Sequence, residues 1–162
     1  MGGKVIDTLR SSPTLSVFGE NELRSLAGCG CLEEYPAGAT ILQPDRDDAR
    51  MFVLREGRVT LHICMFTGGR CGGEASFEWA ARGQVFGWQA WVHSDRISTA
   101  VHAVEAVSVV ALDLRRLREP LILANVRQRM LQNLYGLLQE GGVCPPNIQL
   151  LLRLGEDVSI QI

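Results

Sequence analysis

No stretch of this chain is apolar for long enough to cross a bilayer as a helix; about 18 uninterrupted residues are needed, and charged or polar side chains break every run sooner. Neither sign of charge is in excess. The 16 lysines and arginines against 18 aspartates and glutamates leave a net −2, so nothing points to a nucleic-acid or anionic-membrane surface, which would show a clustered basic surplus. The N-terminus (Met-Gly-Gly-Lys-Val-Ile-Asp) has no apolar signal core, and position 6 is Ile rather than the Ser or Thr of a myristoylation signal. A cytosolic protein is the expectation. Five cysteines (Cys29, Cys31, Cys64, Cys71, Cys144) are odd in number and scattered, unlike a secreted disulfide framework. Their spacing matches neither zinc nor ferredoxin patterns, so they read as reduced thiols and no metal site is expected. His62, His93 and His102 have no ligand spacing among them. No nucleophile–base pair, carboxylate pair or phosphate loop with lysine is recognisable, so no catalytic residues are assigned and a non-enzyme is expected.

What is present is an ordinary globular composition, 46% hydrophobic and 21% charged over 162 residues, enough for one domain with a full core. Lys4 to Arg10 reads as a short helix with Val5, Ile6 and Leu9 on one side. Ser12-Pro13 breaks it, and Gly19 or Asn21 can cap a second helix through Leu26. Short strands at close spacing follow, the mark of an all-β sandwich or barrel. Leu32 to Tyr35 leads into the turn Pro36-Ala37-Gly38, where glycine suits positive φ. Thr40 to Leu42, Met51 to Leu54 and Arg58 to Ile63 are strands, the last alternating Val59, Leu61 and Ile63 against Arg58, Thr60 and His62. Phe66 to Gly73 reads as a loose hairpin tip, Ala75 to Ala81 as its return. Val101 to Val104 and Val107 to Leu112 are the last strands, hinged at Glu105-Ala106.

The chain is organised around residues 83–105. Gly83 to Gly87 is a strand-to-turn passage with glycine at both ends. Trp88 to Val92 allows about one helical turn, whose first amides lack intrahelical partners. Arg96 then precedes Ser98, Ala100 and the apolar run from Val101. A glycine turn, a helix start and an arginine together make an anion site: free amides point at the anion, the helix end is partly positive, and the guanidinium clamps. Trp88 and Trp91 read as core anchors, with stacking of an aromatic ligand by a Trp at the site mouth as the alternative.

This stretch resembles the phosphate-binding cassette of the cyclic nucleotide-binding domains, the sensor half of the catabolite-activator and fumarate-nitrate-regulator transcription factors. Their pattern is roughly Phe-Gly-Glu-x-Ala/Leu, a spacer, then Arg-Ser/Thr-Ala. Phe86, Gly87, Ala90, Arg96 and Ser98 fall on matching positions, with Ile97 inserted. Trp88 stands where the family has the glutamate that accepts a bond from the ribose 2′-hydroxyl, and tryptophan cannot accept it. Tyr-Pro-Ala-Gly-Ala-Thr-Ile (35–41) and Phe-Val-Leu-x-Glu-Gly-Arg-Val (52–59) recur in the family's order and spacing, so the resemblance covers roughly residues 13 to 140. It implies a mainly β fold with flanking helices, a double-stranded β-helix or jelly-roll-like β-roll with short N-terminal helices and a long C-terminal helix. It implies ligand contacts at Phe86, Gly87, Trp88, Gln89, Ala90, Arg96, Ser98 and Thr99, for a cyclic nucleotide or other small anion, with no other cofactor.

From Leu114 to Glu140 the period becomes helical, with a break at Pro120 that suits the first turn of a new helix. Leu123, Val126, Met130, Leu134 and Leu137 form a coiled-coil-like seam, widened by Leu131 and Leu138. The stripe exceeds what one β-roll needs, so a homodimer through this helix is expected, as the resemblance also implies. Gly141-Gly142 ends the helix. The expected division is a domain over 1–141 (N-terminal helices 4–28, β-roll 31–113, C-terminal helices 114–140) and a tail over 142–162. That tail is too short for a helix-turn-helix unit, so direct DNA binding is not expected. The expected role is a small-molecule sensor; the alternative is a ligand-free dimeric interaction scaffold.

Overall fold

A computed structural model describes residues 2–16, 18–43, 50–67, 70–79, 82–87, 97–117, 120–122, 124–125 and 128, with backbone alone at 63–67, 70–75, 77, 79 and 97–99. Two helices, α1 (Gly2–Ser11) and α2 (Glu20–Ala27), precede eight strands: β1 (Gly30–Tyr35), β2 (Thr40–Leu42), β3 (Arg50–Glu56), β4 (Val59–Thr67), β5 (Arg70–Trp79), β6 (Val85–Phe86), β7 (Ile97–Ala103) and β8 (Val107–Asp113). A 3-10 turn, Leu114–Arg116, follows, and helix resumes at Pro120, as the sequence predicts. The strands form two antiparallel four-stranded sheets, ordered β1-β8-β3-β6 and β2-β7-β4-β5. This is the expected β-roll.

The run Val-Ser-Val-Val-Ala-Leu in β8 is apolar in both alternations because both of its faces are covered. Val107, Val109 and Ala111 face a core shared by the two sheets, with Phe52 and Leu54 of β3, Phe86 of β6, Leu42 of β2, Leu61 of β4 and Val101 of β7. Val110 and Leu112 face outward and lie under α1: a Cβ on Gly30 would meet Leu112 Cδ2 at 2.7 Å and Val5 Cγ1 at 3.2 Å. In α1 the inward stripe is Val5, Thr8 and Leu9, while Ile6 is only half-buried. Thr8 is tolerated there because its hydroxyl donates to Lys4 O at 2.8 Å. Gly19 caps α2, and Glu22 reaches back to accept from Gly19 N at 3.2 Å.

Two boundaries differ from the sequence reading. Phe66 to Gly73 is not a loose tip: β4 runs to Thr67, β5 starts at Arg70, and Met65 pairs with Gly73 and Phe66 with Cys71 across a bulge. β7 begins at Ile97 rather than Val101, with Ile97, Ser98 and Thr99 opposite Met65, Cys64 and Ile63. The turn glycines behave as expected, Gly38 at φ 83° and Gly57 at φ 95°. The terminal seam and the tail lie outside the described residues, apart from the helix start.

Candidate functional site

The entry to the residue 83–105 stretch is built by β6 and its neighbour β3. Gly83 N donates to Leu54 O at 2.7 Å, Leu54 N donates to Gln84 O at 2.8 Å, and Phe86 pairs with Phe52. Phe52 and Phe86 are fully buried, their rings stacked with centroids 5.2 Å apart and planes at 12°. Phe86 therefore pins the chain to the core just before it turns. Gly87 follows at φ 95°, and a Cβ there would lie 2.7 Å from Arg50 O and 3.2 Å from Met51 Cα. Only glycine satisfies both the backbone angle and the approach to β3. At the other end, Gly83 (φ 92°) packs on the segment after α1: a Cβ would lie 2.8 Å from Ser12 Cα, and the buried Ser12 hydroxyl donates to Gly83 O at 2.6 Å.

Of the expected contacts, the structure places Phe86 and Gly87 together at this turn. Ser98 and Thr99 lie on β7, which pairs with β4. Trp88, Gln89, Ala90 and Arg96 lie outside the described residues. Glu105, at the end of the stretch, accepts from Arg58 Nε at 3.3 Å.

Beside Gly87 the sequence reading missed a polar cluster. On β1, Cys31, Glu33 and Tyr35 alternate onto the face they share with their partners Ala111, Val109 and Val107. Arg50, on the same face of β3 as Phe52, pairs with Glu33 at 2.7 Å, the two side chains 31% and 27% exposed. Its guanidinium also lies 5.1 Å from the centroid of the Phe52 ring. The Tyr35 hydroxyl donates to the other Glu33 oxygen. Burial first, then that bond to a carboxylate, pushes the phenol up to about 12. The cluster ties β1 to β3 at the root of the cassette; its one sequence signal was polar alternation in β1. Cys29 is buried, which raises its thiol, and Cys31 is exposed; both are free. Among the described residues no three metal-ligating side chains come together, and no helix is long and apolar enough to cross a membrane.

A family model for the cyclic nucleotide-binding domain matches residues 32–121, more than half of the 162-residue chain. The chain belongs to the cyclic nucleotide-binding domain family. Solved structures similar to it include the regulatory domain of Toxoplasma gondii PKA with cAMP, at 18% identity and TM-score 0.64, the match covering 82% of this chain and 49% of that one. The regulatory subunit of a cAMP-independent protein kinase A from Trypanosoma cruzi, bound to guanosine, matches at 19% identity and TM-score 0.65, over 88% of this chain and 52% of that one. The N-terminal domain of a transcriptional regulator from Streptomyces coelicolor A3(2) matches at 18% identity and TM-score 0.58, over 85% and 96%. At these identities the likeness is one of fold. The chain spans about half the length of the two kinase-subunit structures. No curated protein matches it.

Proposed function

We propose that this chain is a non-catalytic sensor module. It holds a small anion in the cassette and passes occupancy to the C-terminal helices, 114–140, the longer of which pairs with its copy in a homodimer. The observation that carries this reading is the turn at Phe86-Gly87. A buried aromatic stack fixes the chain, and a left-handed glycine then lays the backbone against β3 where no side chain fits. Backbone shaped this closely at the start of an amide-rich loop suits an anion. The amides after Gly87 and the Arg96 guanidinium supply the positive lining, and Ser98 and Thr99 supply hydroxyl donors from β7. Gln89 and Ala90 complete the wall. Cyclic AMP and guanosine in similar folds favour a purine nucleotide or nucleoside. Trp88 in place of a hydrogen-bond acceptor argues against strict selection of a ribose hydroxyl, so the ligand class extends to cyclic dinucleotides and other small anions. Occupancy would act by shifting the population of terminal-helix positions.

Calorimetric titration with cyclic AMP, cyclic GMP and cyclic dinucleotides tests this reading. At least one should give heat, and Arg96→Ala should weaken it by about tenfold, ~1.4 kcal/mol. Unchanged binding in Arg96→Ala overturns the site. No heat with any ligand, in a chain that still pairs, selects the second reading: Trp88 fills the pocket and the domain is a dimeric interaction scaffold.

A further inference from the structure

A second candidate site lies away from the cassette, at the opposite end of β3. A cavity of about 430 Å³ is lined by Glu34, Pro36, Glu56, Ala106, Val107 and Ser108, with Tyr35 behind them. That volume falls within the roughly 300–1,000 Å³ of small-ligand clefts. Glu56 is four residues along β3 from Phe52, which at about 3.3 Å per residue puts some 13 Å between the cavity and the cassette root.

The register explains why the site exists. Glu34 of β1 and Glu56 of β3 both face Ser108 of β8, so two carboxylates flank one hydroxyl across three strands. Ser108 is 7% exposed, whereas Glu34 and Glu56 are exposed. A bulge between Leu54 and Glu56 turns Arg55 onto the same row. Its Nη1 lies 3.4 Å from both Ser108 Oγ and Glu56 Oε1. The row thus already accepts a guanidinium edge. Arg55 balances one carboxylate, while the Glu34 carboxylate has no ion pair or hydrogen bond among the described residues. One negative charge is left over. The exposed remaining walls, Pro36 and Ala106, are apolar, while the Val107 side chain points into the core. The floor is stiff, because the Gly57 turn packs against Ala106 with no room for a Cβ, the nearest atom being 2.5 Å away.

An apolar wall below an unbalanced carboxylate fits an aliphatic stem that ends in a cation. We propose that this cavity receives a lysine or arginine side chain of a partner protein, with the stem on Pro36 and Ala106 and the charged head on Glu34. The proposal is independent of the cassette.

The test titrates the full chain with capped pentapeptides Gly-Ser-X-Ser-Gly, where X is lysine, arginine or norleucine, and follows backbone amide NMR signals. Saturable shifts at Tyr35 and at 106–108 are expected for lysine or arginine. Binding should be at least threefold tighter than for norleucine, which keeps the stem and loses the charge. Glu34→Gln, at an exposed position, should abolish that preference while every signal remote from the cavity stays in place. Equal binding of norleucine overturns the charge assignment. Shifts that Glu34→Gln leaves unchanged, or no saturable shifts at these residues, overturn the site. Spermidine binding tighter than either cationic peptide replaces the protein partner with a free polyamine.

Discussion

Gly87 and Gly38 carry the same backbone signature and should respond very differently to a methyl group. Both lie near φ 90°, at 95° and 83°, so alanine costs each about 1–2 kcal/mol in backbone strain. Around Gly38 nothing lies within 4 Å of an added Cβ, but at Gly87 the Arg50 carbonyl is 2.7 Å away. Overpacking against backbone adds about 1–3 kcal/mol. Gly87→Ala should therefore lower the denaturant midpoint clearly more than Gly38→Ala; equal losses would mean that β3 yields at no cost. Tyr35 offers a second measurement. Its neutral phenol is favoured in the fold, so the stabilisation is fully present below the ordinary value near 10 and is lost as pH rises through about 12. Following phenolate absorbance, one of the two tyrosines should titrate late in the folded chain, and Glu33→Gln should bring it earlier. Neither the Glu33–Arg50 pair nor the raised phenol was legible in the sequence. The partners are 17 positions apart, and only the order β1-β8-β3 brings them to one face.

At the scale of elements, period and punctuation were read well where one cause dominated. The Pro36-Ala37-Gly38 and Glu56-Gly57 turns were visible because positive φ selects glycine. The glycines of β5 misled for the same reason. Gly72 and Gly73 look like turn residues, yet in the fold Gly73 pairs with Met65 and Gly72 is the extra residue of a bulge inside the ladder, and cross-strand pairing outweighed local propensity. The start of β7 was hidden because Ser98 and Thr99 are not apolar, although their backbone pairs with β4. The exit from β8 is set by Asp113. Its carboxylate accepts from Arg115 N at 3.2 Å and from Arg115 Nε at 3.1 Å, capping the 3-10 turn that leads toward the terminal helix. The side-chain bond first, and the backbone bond after burial's opposing effect, hold this carboxyl below its usual range. Its contribution is present above the unfolded value near 4 and disappears as pH falls through the depressed folded value. Asp113→Asn should flatten the acid limb of a midpoint-versus-pH curve and leave its slope near neutrality unchanged; an unaltered acid limb would show that the cap carries no linkage.

For the whole molecule, the question is whether the β-roll works alone or in pairs. Among the described residues the roll covers its own core: Phe52, Phe86, Met51, Leu54, Leu61 and Leu112 are fully buried, and α1 lies over the outer face of β8 through Val5. Where helix resumes at 120, Ile122 is 6% exposed and packs inward, while Leu121 is 74% exposed. The helix thus leaves the roll with apolar side chains on two sides, and one roll buries only one of them. At 3.6 residues per turn the stripe Leu123, Val126, Met130, Leu134 and Leu137 falls on the side of the helix away from Leu121, a seam of the kind that one helix offers another. The expected outcome is a dimer by light scattering at micromolar concentration. Leu134→Glu would place a charge in that sequence seam, so it should give a monomer that melts cooperatively. A wild-type chain that scatters as a monomer, or a Leu134→Glu chain that remains a dimer, would move the contact away from this helix and remove the route by which cassette occupancy is proposed to reach a partner.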